Sequence, residues 1–320
     1  MSNKWTTENI PDLSGKVMIV TGGNSGIGFE AAKEFARKGA QTIIASRNMA
    51  KATAARDEIL AEIPDAPLDV MQLDLASLAS VRSFAEEFQG RYSRLDVLAN
   101  NAGIMMVPYS KTEDGFESQL GTNHLGHFAL TGLLIDSLLA TPQARVVNVS
   151  SMGHRMGSME FDNLMYEGGQ GYSGRVAYGR SKLANLLFTY ELQRRFEAAG
   201  AHAMALAAHP GSSNTNLGNH LGSSWYAKPI LGLMMRMAQS SAMGALPTIR
   251  AAVDPDAKGG EYYGPDGFME QRGHPVVVQS NSDSHELADS RELWRLSEEW
   301  TGVSYLQDPQ GSMENAASGE

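Results

Sequence analysis

The sequence predicts an α/β fold, a single doubly wound parallel sheet with helices on both faces. Three observations predict it. From residue 16 to about residue 150, short runs rich in β-branched residues alternate with longer helix-like stretches, the rhythm of strands joined by right-handed helical crossovers. A glycine-rich turn, Gly22-Gly23-Asn24-Ser25-Gly26-Ile27-Gly28, stands between the first such strand and the first helix, as Rossmann-type sheets require. The 320 residues carry no internal repeat and no linker, and 42% of them are hydrophobic and 19% charged, which suits one large soluble domain with a sizeable core.

The elements follow in order. Lys16–Thr21, with Val-Met-Ile-Val at its heart, reads as a buried strand, and the helix after it runs from Ile27 to Lys38 and stops at Gly39. Gln41–Arg47 is the second strand, and Ala50–Ile63 is a helix that Pro64 ends because its ring cannot continue one. Val70–Leu75 and Leu95–Asn100 are the third and fourth strands, with a helix at Leu78–Phe88 between them. A long helical region over roughly Glu117–Leu139 leads to a fifth strand, Arg145–Ser150. The rhythm then changes. Met152–Ser173 is glycine-rich and irregular, Val176–Ala199 is a helix, and Ala203–Ala208 is a sixth strand ending at His209-Pro210-Gly211. Residues 212–245 are rich in Gly, Ser and Met and read as a segment covering the substrate. Glu261–Tyr263 is a last strand, Ser284–Trp300 a final helix, and residues 307–320 a small, polar, disordered tail. Residues 1–306 are therefore expected to form one nucleotide-binding domain.

Charge and composition exclude several classes of function. A net charge of −10 with no basic stripe argues against a protein that tracks nucleic-acid phosphates. With no cysteine, disulfides, thiolate metal sites and cysteine nucleophiles are all excluded. Met1–Ile10 is polar rather than basic and then apolar, and Leu130–Ala140 is too short to span a bilayer and is interrupted by Asp136. A cytoplasmic protein without a membrane span, acting on a small molecule, is the expectation; a homo-oligomer is compatible with it.

The glycine turn points to a dinucleotide. Gly22, Asn24, Ser25, Gly26, Ile27 and Gly28 lie between strand and helix, where bare backbone passes close to a pyrophosphate and the helix N-terminus offers free amides. An NAD site wants an acidic residue about 20 residues further on, to bond the ribose hydroxyls. No acidic residue occurs between Phe35 and Arg56, and the second strand ends Ala45-Ser46-Arg47. A serine beside a guanidinium fork suits a 2′-phosphate, so NADP(H) is the expected cofactor. Asp74 and Leu75 end the third strand, where Asp74 accepts from an adenine amino group or caps the helix that begins near Ser77. Asn101, Ala102 and Gly103 close the fourth strand at the same sheet edge.

Tyr178 and Lys182 lie four residues apart on a helix and so share a face. The ammonium of Lys182 would favour the phenolate and bring Tyr178 toward use as a proton donor and acceptor near neutral pH. Together with Thr-Gly-x-x-x-Gly-x-Gly at 21–28, Asn-Asn-Ala-Gly at 100–103, Asn123, Ser151 and Pro210-Gly211, this resembles the short-chain dehydrogenase/reductase family over about residues 14–215. The resemblance implies that Tyr178 is the general acid/base and that Lys182 holds the nicotinamide ribose. Ser151 would bond the substrate oxygen, Asn123 would position a water leading to Lys182, and Thr215 would hold the nicotinamide carboxamide. Ser150 is the competing serine; alternation along a strand sends the pair to opposite faces, and the family pattern favours Ser151.

The spacing of 27 positions from Ser151 to Tyr178, and the run Asn123-His124-Leu125-Gly126-His127-Phe128, resemble the branch that holds retinol dehydrogenases and light-dependent protochlorophyllide reductases. The membrane-anchoring segment of many retinol enzymes is not seen, and a chain without cysteine argues against the light-driven reaction. His124 and His127 fit packing better than a metal pair, and no metal is expected. The expected reaction interconverts an apolar ketone or aldehyde and its alcohol. Reduction of an imine or an activated carbon–carbon double bond needs the same hydride and proton donors, and a silent NADP-binding regulator would keep the fold. Trp225, Tyr226 and Met234 belong to an apolar, methionine-rich stretch over Asn216–Gly244 and are expected to touch the substrate, as a lid or as a helix packed on the sheet.

Overall fold

The computed structural model describes residues 4–212 and 239–307. Val17–Thr21 forms β1, every residue of it buried, because a central parallel strand is covered on both faces. It is followed by α1 (Gly26–Arg37), β2 (Gln41–Ser46), α2 (Met49–Glu62), β3 (Leu68–Gln72), α3 (Leu78–Arg91) and β4 (Val97–Asn100). The side chains of Asn48 and Ser77 cap α2 and α3.

The long helical region expected over roughly Glu117–Leu139 is found, with a π-helical turn inside it and an interruption at Leu134. A short helix α4 (Ser118–Leu120) is capped by the Glu117 carboxylate, which accepts from Gln119 and Leu120 amides. A π-helical turn, Gly121–Leu125, then carries Asn123, and α5 (Gly126–Leu133) and α6 (Ile135–Ala140) follow. Gly126 explains the close approach: a Cβ there would stand 2.4 Å from the Leu75 carbonyl oxygen. The rest of the chain adds β5 (Arg145–Val149), α7 (Gly174–Ala198), β6 (Met204–Ala208), α8 (Ser241–Val253), β7 (Tyr262–Pro265), β8 (Pro275–Val278) and α9 (Leu287–Thr301). Helix α8 and strand β8 were not expected from the sequence. The first begins inside the stretch read as covering segment, and the second is a run of only four residues.

The eight strands form one sheet in the order β3-β2-β1-β4-β5-β6-β7-β8, parallel except for the antiparallel pair β7–β8 at the edge. One face buries Phe84, Phe88, Phe128, Phe188, Trp294 and Tyr305 beneath α3, α5, α7 and α9. The other buries Ile27, Phe35, Ile44, Leu246 and Ile249 beneath α1 and α8. Strand order reverses at β1, with β2 on one side and β4 on the other, so a crevice opens at the carboxyl ends of these strands. No described helix is long and apolar enough to cross a membrane.

Candidate active site

A cleft of about 430 Å³ lies in that crevice. Its walls include Gly22, Asn24, Ser25, Gly26, Ile27, Gly28, Ser46, Arg47, Asp74, Leu75, Asn101, Ala102, Gly103, Tyr178, Lys182 and Pro210. These come from the ends of five strands and from α7, so residues spread over nearly 190 positions meet in one place. The backbone explains why glycine recurs at the turn. Gly22 has φ 67°, and a Cβ at Gly28 would stand 2.5 Å from both the Gly22 carbonyl oxygen and Asn101 Nδ2. Ser25, the residue before α1, makes no side-chain cap, which leaves first-turn amides for an anionic ligand.

Thr21 ties this turn to the next strand. Its hydroxyl oxygen accepts from the amides of Asn101 and Ala102, each at 2.9 Å, and lies 2.9 Å from His127 Nε2. His127 Nδ1 faces the Asn123 carbonyl at 3.0 Å. Burial pushes the His127 pKa down to about 4, so the ring is neutral. Its proton therefore sits on Nδ1, and Nε2 accepts from the threonine.

At the outer end of the cleft, Ser46 donates to Asn24 Oδ1 at 3.0 Å and accepts from the Asn48 amide at 3.2 Å. Arg47 is exposed and has no carboxylate partner among the described residues. Lys51, in the first turn of α2, lines the same end and was not anticipated. Asp74 lines the cleft while its Oδ1 accepts from the Ala76 amide at 3.0 Å. The cap of α3 is Ser77, so Asp74 is not that helix cap.

Helix α7 brings Tyr178 and Lys182 to the inner end, both buried. Lys182 Nζ donates to the Val149 carbonyl at 3.0 Å and lies 5.9 Å from the centre of the Tyr178 ring. The expected lowering of the Tyr178 pKa by Lys182 is not found. Burial pushes the phenol up, opposed only by its hydrogen bond with Ser151. Burial also pulls Lys182 down to about 8, weakening the charge that was to do the lowering. Ser151 opens a 3₁₀ turn over Met152–Met156, its hydroxyl accepting from the Gly153 amide at 3.0 Å. Ser150 borders the cleft, but its hydroxyl is engaged, donating to the Lys182 carbonyl at 2.9 Å. Asn123 is locked: its side chain accepts from the Ile104 amide at 2.8 Å and donates to Ile104 O and to Ser181 Oγ, each at 2.9 Å. Asn123 and Ser151 support the cleft without being part of its wall.

Gly211, with φ 64°, donates its amide to His209 Nδ1 at 3.2 Å and also lies off the wall. Thr215, Trp225, Tyr226 and Met234 lie outside the described residues, as do most of the expected covering segment and the tail from residue 308. Thr21, Ile104, Met105 and Thr122 line the cleft without having been singled out. His124 is part of the aromatic core, its Nε2 2.9 Å from Ser297 Oγ and its ring 5.7 Å from Phe188.

Comparison with known proteins agrees with this geometry. The short chain dehydrogenase family matches residues 16–224. Human retinol dehydrogenase 13 is 40% identical over 296 residues, 91% of this chain and 86% of its own. Mouse retinol dehydrogenase 12 is 39% identical over 301 residues, 93% of this chain and 90% of its own. Among solved structures, an uncharacterized protein of Mycobacterium paratuberculosis is 41% identical and superposes with a TM-score of 0.79 over 95% of this chain and 99% of its own. A Shigella flexneri short chain dehydrogenase complexed with NADP shares the fold, with a TM-score of 0.61 at 23% identity over 78% of this chain and 97% of its own.

Proposed function

The chain belongs to the short-chain dehydrogenase family, in the branch of the retinol dehydrogenases, and we propose that it is an NADP(H)-dependent oxidoreductase interconverting an apolar ketone or aldehyde and its alcohol. The observation that carries the reading is the pairing in one cleft of a glycine turn, built for a pyrophosphate, with a buried Tyr178–Lys182 pair. When bound, the nicotinamide supplies or accepts the hydride. The chain must do the rest: hold the ends of the cofactor, orient the carbonyl, exclude water and move one proton.

Arg47 and Lys51 would meet the 2′-phosphate, since both border the outer end and the second strand ends without the acidic residue that a free 2′-hydroxyl favours. Tyr178 is the proton donor in reduction: its raised pKa keeps the phenol protonated at neutral pH. The Ser151 hydroxyl, already in hydrogen-bond contact with that phenol, orients the substrate oxygen toward it. Lys182 holds the ribose and supplies positive charge below about pH 8. Asn123, fixed by three hydrogen bonds, keeps the π-helical turn in place as one end of a proton path to Lys182. Thr215, with Pro210 and Gly211, would hold the carboxamide. No metal is needed when one hydride and one proton complete the reaction.

The apolar substrate rests on two supports. Relatives about 40% identical are named for retinol, an alcohol on a long apolar chain. The Asn216–Gly244 sequence is rich in Leu, Met and aromatic residues, with Trp225, Tyr226 and Met234 as the proposed contacts. The test is oxidation of NADPH, with NADH in parallel, against a panel of ketones and aldehydes of rising chain length. NADPH-linked turnover that rises about fourfold per added methylene is expected, following about 0.8 kcal/mol for each one buried. Equal use of both cofactors would refute the cofactor assignment, and a flat response to length would refute the substrate class.

A further inference from the structure

Glu270 bridges the loop that carries Ser151 and the turn that carries Pro210, and we propose that it is a positioning residue for both. The proposal rests on the oxidoreductase reading above. Glu270 lies on the loop between β7 and β8, past the end of the stretch at 16–224 that the family accounts for. Its backbone and that of Met269 take φ of 56° and 52°, a conformation that residues with side chains adopt only when their surroundings fix it.

On one side, Glu270 Oε2 lies 3.1 Å from Nε2 of His209, which is fully buried. The Gly211 amide donates to His209 Nδ1 at 3.2 Å, so the ring proton resides on Nε2, close to the carboxylate but not aligned for a hydrogen bond with it. The same turn is gripped by backbone, because the Ser212 amide donates to Gln271 O at 2.7 Å and a Cβ at Gly211 would stand 2.4 Å from that oxygen. Gln239 closes the clasp, donating to Pro210 O at 2.7 Å while accepting from the Gly273 amide at 3.0 Å.

On the other side, Glu270 Oε1 accepts from Arg155 Nη2 at 3.2 Å, and Arg155 lies in the 3₁₀ turn that Ser151 begins. A second strut acts nearby. His154 Nδ1 is 2.6 Å from the Ser151 carbonyl, and its Nε2 accepts from the Asn281 amide at 3.4 Å, just past β8. One carboxylate thus ties the serine that faces Tyr178 to the proline that borders the cleft. A site of this kind loses rate when its parts drift by about 1 Å, even if every group survives.

The test compares Glu270→Ala, Glu270→Gln and Arg155→Met with the wild type in the full chain, by two readouts. In hydrogen exchange, Glu270→Ala is expected to lower protection of both the Met152–Gly157 turn and the His209–Ser212 turn by about tenfold or more, with β1 and β4 unchanged. Arg155→Met should loosen only the first. In turnover, Glu270→Ala is expected to lose about tenfold or more in kcat at saturating NADPH, while binding of 2′,5′-ADP stays the same. Gln has one carbonyl oxygen where Glu270 uses two, so it can accept from His209 or Arg155 but not both, and should keep part of the activity that alanine loses. Unchanged exchange at both turns in Glu270→Ala would overturn the proposal, and so would wild-type kcat in that variant. A wild type inactive with NADPH and every carbonyl would sink the functional reading alone, because the exchange experiment needs no turnover.

Discussion

Gly157 and Gly179 meet backbone to backbone: a Cβ on Gly157 would stand 2.5 Å from the Gly179 carbonyl, and one on Gly179 would stand 2.9 Å from the Gly157 nitrogen and from Gly153 O. This contact seats the serine loop on α7 beside Tyr178. Neither partner can yield, because the atoms approached are backbone. Gly179→Ala is therefore expected to push the loop outward, destabilise the fold by about 1–3 kcal/mol and lower kcat by about tenfold or more. Thermal unfolding and steady-state kinetics check it. A variant with wild-type kcat would mean that the loop position does not matter to catalysis.

Tyr178→Phe keeps the ring and removes the phenolic proton. Binding of NADPH should stay nearly intact while turnover falls by about 10²–10⁴-fold. A loss below about tenfold would remove Tyr178 from the role of general acid.

The pH dependence follows from the two buried groups. In the proposed mechanism, reduction uses protonated Tyr178, which its raised pKa preserves, and charged Lys182, whose charge is lost as pH rises through about 8. Its rate should hold below pH 8 and fall above it. Oxidation needs the phenolate and should gain with pH across the same interval. Profiles of one shape in both directions would contradict a shared acid/base.

Lys182 also carries a stability cost. Below pH 8 the folded protein holds a buried charge that the unfolded chain keeps in water; from about 8 to 10.5 only the unfolded form is charged, so the cost shrinks as pH rises. At pH 7 it amounts to about 3 kcal/mol. Lys182→Met is expected to raise Tm by several degrees while abolishing turnover, since the Val149 carbonyl still accepts from Asn185 Nδ2 at 3.1 Å. A lower Tm would show that the ammonium is compensated in the fold.

Arg47→Ala should weaken NADPH by about 10–150-fold and leave NADH nearly unchanged, the effect of losing one charge-assisted contact. Lys51→Ala should act in the same direction more weakly, as a point charge without the planar fork. Fluorescence titration with both cofactors decides it, and equal losses for the two would make Arg47 structural.

Much of this was legible in the sequence because it is local. The strand–helix alternation, the glycine turn and the Tyr178–Lys182 spacing each follow from periods and residue types within a few positions of one another. The π-helical turn at Gly121–Leu125 within the long helical region was not legible. Nor was the close approach of the Leu75 backbone to Gly126, a neighbour some 50 residues away in the chain. Strand β8 was missed for a related reason: Pro275–Val278 is an edge strand stabilised by its pairing with β7 rather than by its own pattern.

The site divides in the same way. Sequence determined which residues could do the chemistry. Only the tertiary structure decided their electrostatics, because desolvation depends on everything packed around a group: the same burial that raises Tyr178 lowers Lys182 to about 8. It also decided which serine faces the tyrosine, by turning Ser150 to the Lys182 carbonyl, and it brought Glu270 back to His209 and Arg155 across 61 and 115 positions. Contacts of that range leave no periodic trace in a single chain, since the residues between them are free to vary without moving the ends.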